Sequence, residues 1–368
     1  MRSLTLVSFL TCFGALSTAT PAGVAAKTAG LTAGTVLQEM APGWNLGDAL
    51  ESIPKETSWG NPVTTDALLR SVRAAGFKSV RIPVAWSQYA DTDNRVDPKW
   101  MAHVTDIVKK ARTAGLYAIV NIHWDGGWMQ PTYAQQAKVN AKLSKLWTQI
   151  ATNFKGFDDH LLFAGTNEVM VTGVYRPPTS ENAAVQNGFN QVFVDAVRAT
   201  GGRNATRFLI VQGYNTNIDY ALTSNAKLPK DTTAGRLMME VHYYDPYDFT
   251  INEKSGIWQW GSKATDSAAT ETWANEPYVD AQFQKMKSAF VDRGVPVILG
   301  EYASAVKPRF PGMRRYCVYW DEYVTRSAVK HGLVPFFWDA GGPGGLFNRA
   351  TGAQQDPEVI KAIVGASR

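Results

Sequence analysis

The chain has 368 residues, among them 12 Trp, 14 Tyr and 16 Phe, with a formal charge of only +5. That length allows one large domain or two ordinary ones. Its basic residues are scattered rather than clustered, which excludes the electrostatic footprint of a nucleic-acid binder. Residues 1–26 read as a signal peptide. Arg2 gives a positive start, Leu4 to Leu16 is apolar but too short to span a bilayer, and Val24-Ala25-Ala26 offers a small-residue cleavage site. Cleavage near Ala26 predicts a secreted protein, extracellular or periplasmic. Cys12 would be lost, which leaves Cys317 alone and no intrachain disulfide. No later apolar run is long enough for a membrane helix. A short Thr/Ala/Gly-rich extension, 27–38, precedes one large domain, 39–368.

From there apolar runs alternate with amphipathic ones. The strand candidates are GWNLG at Gly43, SVRIPV at Ser79, YAIVNIH at Tyr117, LLFAGTNE at Leu161, RFLIVQGY at Arg207, RLMMEVHYY at Arg236, PVILGEY at Pro296 and LVPFFWD at Leu333. Several are continuously apolar, as expected of parallel strands covered by helices. Helical patterns fall at 64–76, 97–115, 135–153, 182–200, 278–293, 314–331 and 356–366. In the second, Asp97 can cap, Pro98 suits the first turn, and Met101, Val104, Ile107, Val108 and Ala111 share a face. The stretch from Asn215 to Ala226 has the weakest helical pattern. Eight strands with intervening helices predict a single-domain α/β fold, the (β/α)8 TIM barrel. An open doubly wound sheet would need a glycine fingerprint after an early strand, and none is present. Asp245 to Glu276, with Trp258, Trp260 and Trp273, is expected to be an excursion on the barrel rim.

Function in such a barrel gathers at the C-terminal ends of the strands. The residues arriving there are Asn45, Arg81, His123, Asn167, Glu168, His242, Tyr244, Glu301 and Trp338. Two are carboxylates, Glu168 after the fourth strand and Glu301 on the seventh, and those strands face each other across the mouth. Two carboxylates facing one cleft suit glycosidic cleavage: one protonates the leaving oxygen, the other attacks the anomeric carbon or activates water. Arg81 could stabilise the charged partner, Asn167 could hold a sugar hydroxyl, and Trp338 could stack on a pyranose.

GWNLGD, SVRIPVAW, NIHWD, GTNEV, VHYYDP, LGEY, FFWDAGG and GLFNRATG stand in order along most of the chain. Together they resemble glycoside hydrolase family 5, the cellulase family A. The resemblance implies Glu168 as acid/base and Glu301 as nucleophile, with retained configuration and no metal or organic cofactor. It implies Arg81, His123, Asn167, His242 and Tyr244 around the cleaved sugar and Trp338 as its platform, and Asn45 joins this set as a strand-end polar residue. Two departures stand out: Val169 where the family has Pro, and His123-Trp124 where it commonly has His-His.

A secreted, monomeric endo-β-1,4-glucanase acting on cellulose or related β-glucans is therefore expected. A β-mannanase or xyloglucanase on the same scaffold is the alternative, and a non-catalytic sugar-binding barrel a further one. Glu240 reads as a buried, hydrogen-bonded acid within the sixth strand; His103 and His331, on helices, read as surface or packing residues, and His160, before the fourth strand at the bottom of the barrel, as structural. Trp124, Asp125 and Trp128 follow the third strand without an assigned role.

Overall fold

The computed structural model describes residues 31–223 and 227–368. The predicted signal peptide, the cleavage site near Ala26, the start of the extension and residues 224–226 lie outside them. Eight parallel strands close into a barrel in sequence order. They are β1 (Gly43–Leu46), β2 (Ser79–Ile82), β3 (Tyr117–Asn121), β4 (Leu161–Ala164), β5 (Leu209–Gln212), β6 (Leu237–His242), β7 (Val297–Tyr302) and β8 (Leu333–Asp339). Each lies in its predicted apolar run.

The helices are α1 (Val36–Met40), α2 (Asp66–Ala75), α3 (Pro98–Thr113), α4 (Tyr133–Phe154), α5 (Ser180–Ala199), α6 (Ile218–Ala221), α7 (Tyr247–Thr250), α8 (Glu276–Ala289), α9 (Arg314–Lys330) and α10 (Pro357–Ala366). Side-chain caps set the starts of α2, α3, α5, α6 and α10. Asp97 accepts from Lys99 N at 2.8 Å before α3, and Thr179 with Asn182 forms a reciprocal box before α5. The stretch after β5 yields only the single turn of α6, because Asn215 (φ 51°) and Thr216 (φ 47°) sit in the left-handed region just before it.

Two apolar layers hold the barrel. One lies between strands and helices. The other fills the lower lumen, where Ile119, Leu162, Ile210, Met238, Ile298 and Phe336 pack with Leu31, Val36 and Met40. The N-terminal segment thus closes the bottom, tied there by Ser79 Oγ donating to Met40 O at 2.6 Å. Above that plug the inward positions turn polar: Asn45, Arg81, Asn121, Gln212, Glu240 and His242 are all buried. Buried polar groups must find partners, and those partners build the site.

The excursion after β6 is not a loose rim. Trp260 is fully buried and packs on Tyr319 and Tyr323 of α9, and Trp258 stacks on Phe310 at 5.5 Å. Trp273 is the exposed one.

Candidate active site

Arg81, fully buried on β2, organises the mouth. Its Nη1 donates to Glu301 Oε1 at 2.9 Å and to Asn45 Oδ1 at 3.0 Å, and its Nη2 to Asn167 Oδ1 at 2.5 Å. Its Nε forms an ion pair with Glu240 Oε1 at 2.9 Å. A guanidinium presents a rigid fork of donors that can hold several acceptors in one plane. Here it ties β1, β2, β6, β7 and the turn after β4 to one point.

Glu301 is aimed by an irregularity in β7. Val241 pairs with Leu299 and His242 with Glu301, so Gly300 is the extra residue of a bulge. Bulges re-aim side chains beside active sites. A Cβ at Gly300 would lie 2.1 Å from Glu240 Oε1, so only glycine leaves room for that carboxylate. Tyr244 donates its hydroxyl to Glu301 Oε2 at 3.2 Å, and burial keeps that phenol protonated.

Glu168 sits beyond β4 on a backbone with φ 47°. A bulky residue in the left-handed region costs of order 1–3 kcal/mol and persists only where its surroundings over-determine it. Val169 O accepts from Asn215 N at 3.0 Å, and Val171 N donates to the Tyr214 hydroxyl at 3.0 Å, so the β5 side holds this turn. The side chain keeps 43% of its surface exposed, against 7% for Glu301.

His242 lies between the acids. Its Nδ1 is 2.8 Å from Glu168 Oε1 and 3.6 Å from Glu301 Oε2, and its Nε2 is 3.2 Å from Glu240 Oε1. Burial favours the neutral ring, but the surrounding carboxylates outweigh it and push the imidazole up to about 9. Burial and the charges of Arg81 and His242 hold His123 neutral. Burial raises Glu301. It also opposes ionisation of Glu168, but the His242 hydrogen bond and charge prevail and hold that carboxyl below its usual range. One carboxylate oxygen each of Glu168 and Glu301 and a His242 nitrogen lie within 4.8 Å of one another. Such a set could accept a cation, although each member already has a hydrogen-bond or ion-pair partner.

Most of the predicted residues meet here. The His123 ring lies parallel to Trp338, centroids 5.7 Å apart. Asn45 does not reach the cleft surface. It is fully buried and donates to Gly300 O at 2.8 Å while accepting from Arg81, so it props the guanidinium rather than meeting a sugar. Asp125 is also buried, accepting from Trp86 N, Ser87 N and Trp128 Nε1, and so builds the loop after β3. The exposed Trp124 lies with Tyr175, Glu168 and Val169 around a cavity of about 180 Å³. His103 pairs with Glu56 at 2.6 Å and touches none of the cleft residues named above. Sequence reasoning gave Glu240 and Gly300 no part in the site. The one signal was the inward spacing of Glu240 and His242, two residues apart on a strand.

Residues 46–344 match the cellulase family, glycosyl hydrolase family 5. Endoglucanase A of Paenibacillus barcinonensis is 38% identical, the match covering 92% of this chain and 91% of that protein. Among solved structures, a Bacteroides ovatus GH5 xyloglucanase in complex with a XXXG heptasaccharide superposes with TM-score 0.88 at 40% identity, covering 92% of this chain and 77% of that one. A GH5-4 broad specificity endoglucanase from Bacteroides salanitronis gives TM-score 0.86 at 39% identity, covering 92% and 96%.

Proposed function

The chain belongs to the cellulase family, glycosyl hydrolase family 5, and from that premise we propose a secreted, monomeric enzyme that cleaves internal β-1,4-glucosidic bonds with retention of configuration. It is a glycoside hydrolase of endoglucanase type; what is proposed is the division of labour in its cleft. The observation that carries the proposal is that one carboxylate oxygen of Glu168 and one of Glu301 lie within 4.8 Å of each other beside His242, too close for a water-wide gap between the two carboxyls. Retaining enzymes hold their carboxyls about 5–5.5 Å apart, whereas inverting ones need about 6.5–9.5 Å to admit water.

Glu301 is the nucleophile. Arg81 and Tyr244 aim one donor at each of its oxygens, which serves a carboxylate that must ionise and point at an anomeric carbon. Glu168 is the acid/base. Burial favours the proton on Glu301, and His242 disfavours it on Glu168, so turnover needs the preference reversed. A sugar entering over Trp338 supplies the reversal: it strips water from the half-exposed Glu168, which raises that carboxyl, and repulsion between the two acids leaves Glu301 ionised on its donors. Glu168 then protonates the departing oxygen as Glu301 attacks. After the leaving group departs, Glu168 takes a proton from a water that attacks the anomeric carbon, which breaks the bond to Glu301 and frees the sugar with both carboxyls restored. The Trp124–Tyr175 cavity beside Glu168 receives the leaving-group end.

The test is reducing-sugar release from a soluble cellulose derivative, mixed-linkage glucan, xyloglucan and glucomannan, with Glu301→Ala protein as the blank. Release from a β-glucan well above blank is expected, undiminished by a strong chelator. No release from any of the four would overturn the proposal. Release from glucomannan alone would keep the mechanism and change the substrate.

A further inference from the structure

Behind Glu240 lies a group of buried polar side chains that the cleavage chemistry leaves unused. They are Gln186 and Asn190 on α5, Gln212 at the end of β5 and Thr166 in the turn after β4. A buried amide must be partnered, and the end it points at a neighbour decides what it can do there. The backbone settles the direction. Gln212 O can only accept, and it takes hydrogen bonds from Asn190 Nδ2 at 2.8 Å and Gln186 Nε2 at 3.2 Å. Gln186 therefore presents its amide nitrogen on this side, and the same nitrogen lies 3.4 Å from Thr166 Oγ1. That hydroxyl, accepting from Gln186, gives its own proton to Gln212 Oε1 at 3.3 Å. With Oε1 engaged, the Gln212 side chain has its amide nitrogen left to offer.

What it meets follows from register. Gln212 on β5 is paired with Glu240 on β6, and both are buried. Glu240 Oε1 is shared between Arg81 Nε at 2.9 Å and His242 Nε2 at 3.2 Å. Among the described residues, Gln212 Nε2 and Glu240 Oε2 are both buried with no other hydrogen-bond partner. One is a donor and the other an acceptor, so each supplies what the other lost with its water. Burial opposes ionisation of Glu240, but Arg81, His242 and the Gln212 amide together hold its carboxyl below the usual range.

We propose that Gln212 is a positioning residue for the cleavage reaction: its Nε2 donates to Glu240 Oε2 and turns that carboxylate so that its other oxygen meets both Arg81 and His242. The donors run one way, from Gln186 to Thr166 to Gln212 to Glu240, and each bond polarises the next. Thr166 stands two residues before Glu168, so the chain also ties the acid/base turn to the support of the nucleophile from inside the barrel. This rests on the function proposed above and deepens it, by naming what holds the catalytic charges in place.

Gln212→Leu removes the donor. On a soluble β-glucan its kcat is expected to fall by about tenfold with KM within about twofold, because the lost bond acts on the reacting groups and not on the bound sugar. Gln212→Glu keeps the shape and, while protonated, keeps a donor. Burial and the negative charges of Glu240, Glu168 and Glu301 hold that proton against the pull of Arg81 and His242. This variant is therefore expected to work within about threefold of wild type on the acid side and to lose activity earlier as pH rises. Thr166→Val, which frees the amide to turn over, should give a smaller loss than Gln212→Leu. The second readout is the titration of the Glu240 carboxyl, followed by NMR with carbon-13-labelled glutamate and assigned by its absence from Glu240→Gln. Gln212→Leu is expected to raise it, and thermal unfolding checks that each variant folds. Full activity of Gln212→Leu, a loss in Gln212→Glu equal to that of Gln212→Leu at every pH, or an unmoved Glu240 titration would each overturn the proposal. Wild-type protein inert towards β-glucans would overturn the proposed function instead, and the Glu240 titration would still decide whether Gln212 holds that charge.

Discussion

Glu240 Oε1 lies 3.2 Å from His242 Nε2 and 2.9 Å from Arg81 Nε, and Glu240 has no exposed surface. One buried carboxylate thus supports both cations that face the two glutamates. With ionised acids on both sides, each nitrogen of His242 must donate, which makes the ring an imidazolium. Glu240→Gln preserves the shape and removes the charge. Its kcat is expected to fall by about tenfold or more, with KM little changed and the alkaline limb of the rate profile shifted to lower pH. A pH–rate profile decides this; a uniform loss with an unmoved limb would assign Glu240 to packing alone.

The same residues set a stability signature. His242 has its folded value raised from 6.5 to about 9. A raised value means the native state holds a proton that the unfolded chain releases first. This contribution is complete below pH 6.5 and is lost as pH rises through about 9, at most on the order of 3 kcal/mol. Denaturant midpoints measured across that window should fall for the wild type and flatten for His242→Asn.

These roles show which parts of the site a sequence discloses. Strand ends are legible because apolar runs stop where polar residues begin, so Glu168, Glu301, His242 and Trp338 could be placed at the mouth. That Arg81 stands by a charged glutamate was legible, and it donates to Glu301; its other holds, on Asn45, Asn167 and Glu240, were not, because they come from β1, the turn after β4 and β6. Asn45 looked like its neighbours in the sequence, and only the closed barrel shows it sealed beneath the guanidinium. The left-handed backbone at Glu168 carries no residue signal, since no glycine or asparagine marks the position. Gly300 stood in LGEY without an assigned part, and only the fold shows Glu240 filling the space beside it.

Gly300→Ala is accordingly a severe change for one methyl group. The added carbon would meet Glu240 Oε1 at 2.1 Å, and that carboxylate cannot yield without releasing Arg81 or His242. Overpacking of this kind costs about 1–3 kcal/mol. Activity is expected to fall by about a hundredfold or more, because Glu301 rides on the same bulge and small misplacements of catalytic groups are that costly. Thermal unfolding and rates on a soluble glucan measure the two effects. A variant with wild-type activity would show that the bulge is free to relax.

The division of labour between the two acids is separable by leaving group. Glu168→Ala removes the proton donor but leaves Glu301 on Arg81 and Tyr244. An aryl glycoside whose phenol leaves readily as its anion needs no proton, so its bond to the sugar should still break at a useful rate. Polysaccharide cleavage, which expels an alkoxide, should fall by about a hundredfold or more. The second half-reaction needs Glu168 as a base. The variant should therefore release one equivalent of phenol per active site in a burst and then stall with the sugar attached to Glu301. Glu301→Ala should show neither burst nor turnover. Equal losses on both substrates, without a burst, would remove Glu168 from the acid role and leave the cleft without its proton donor.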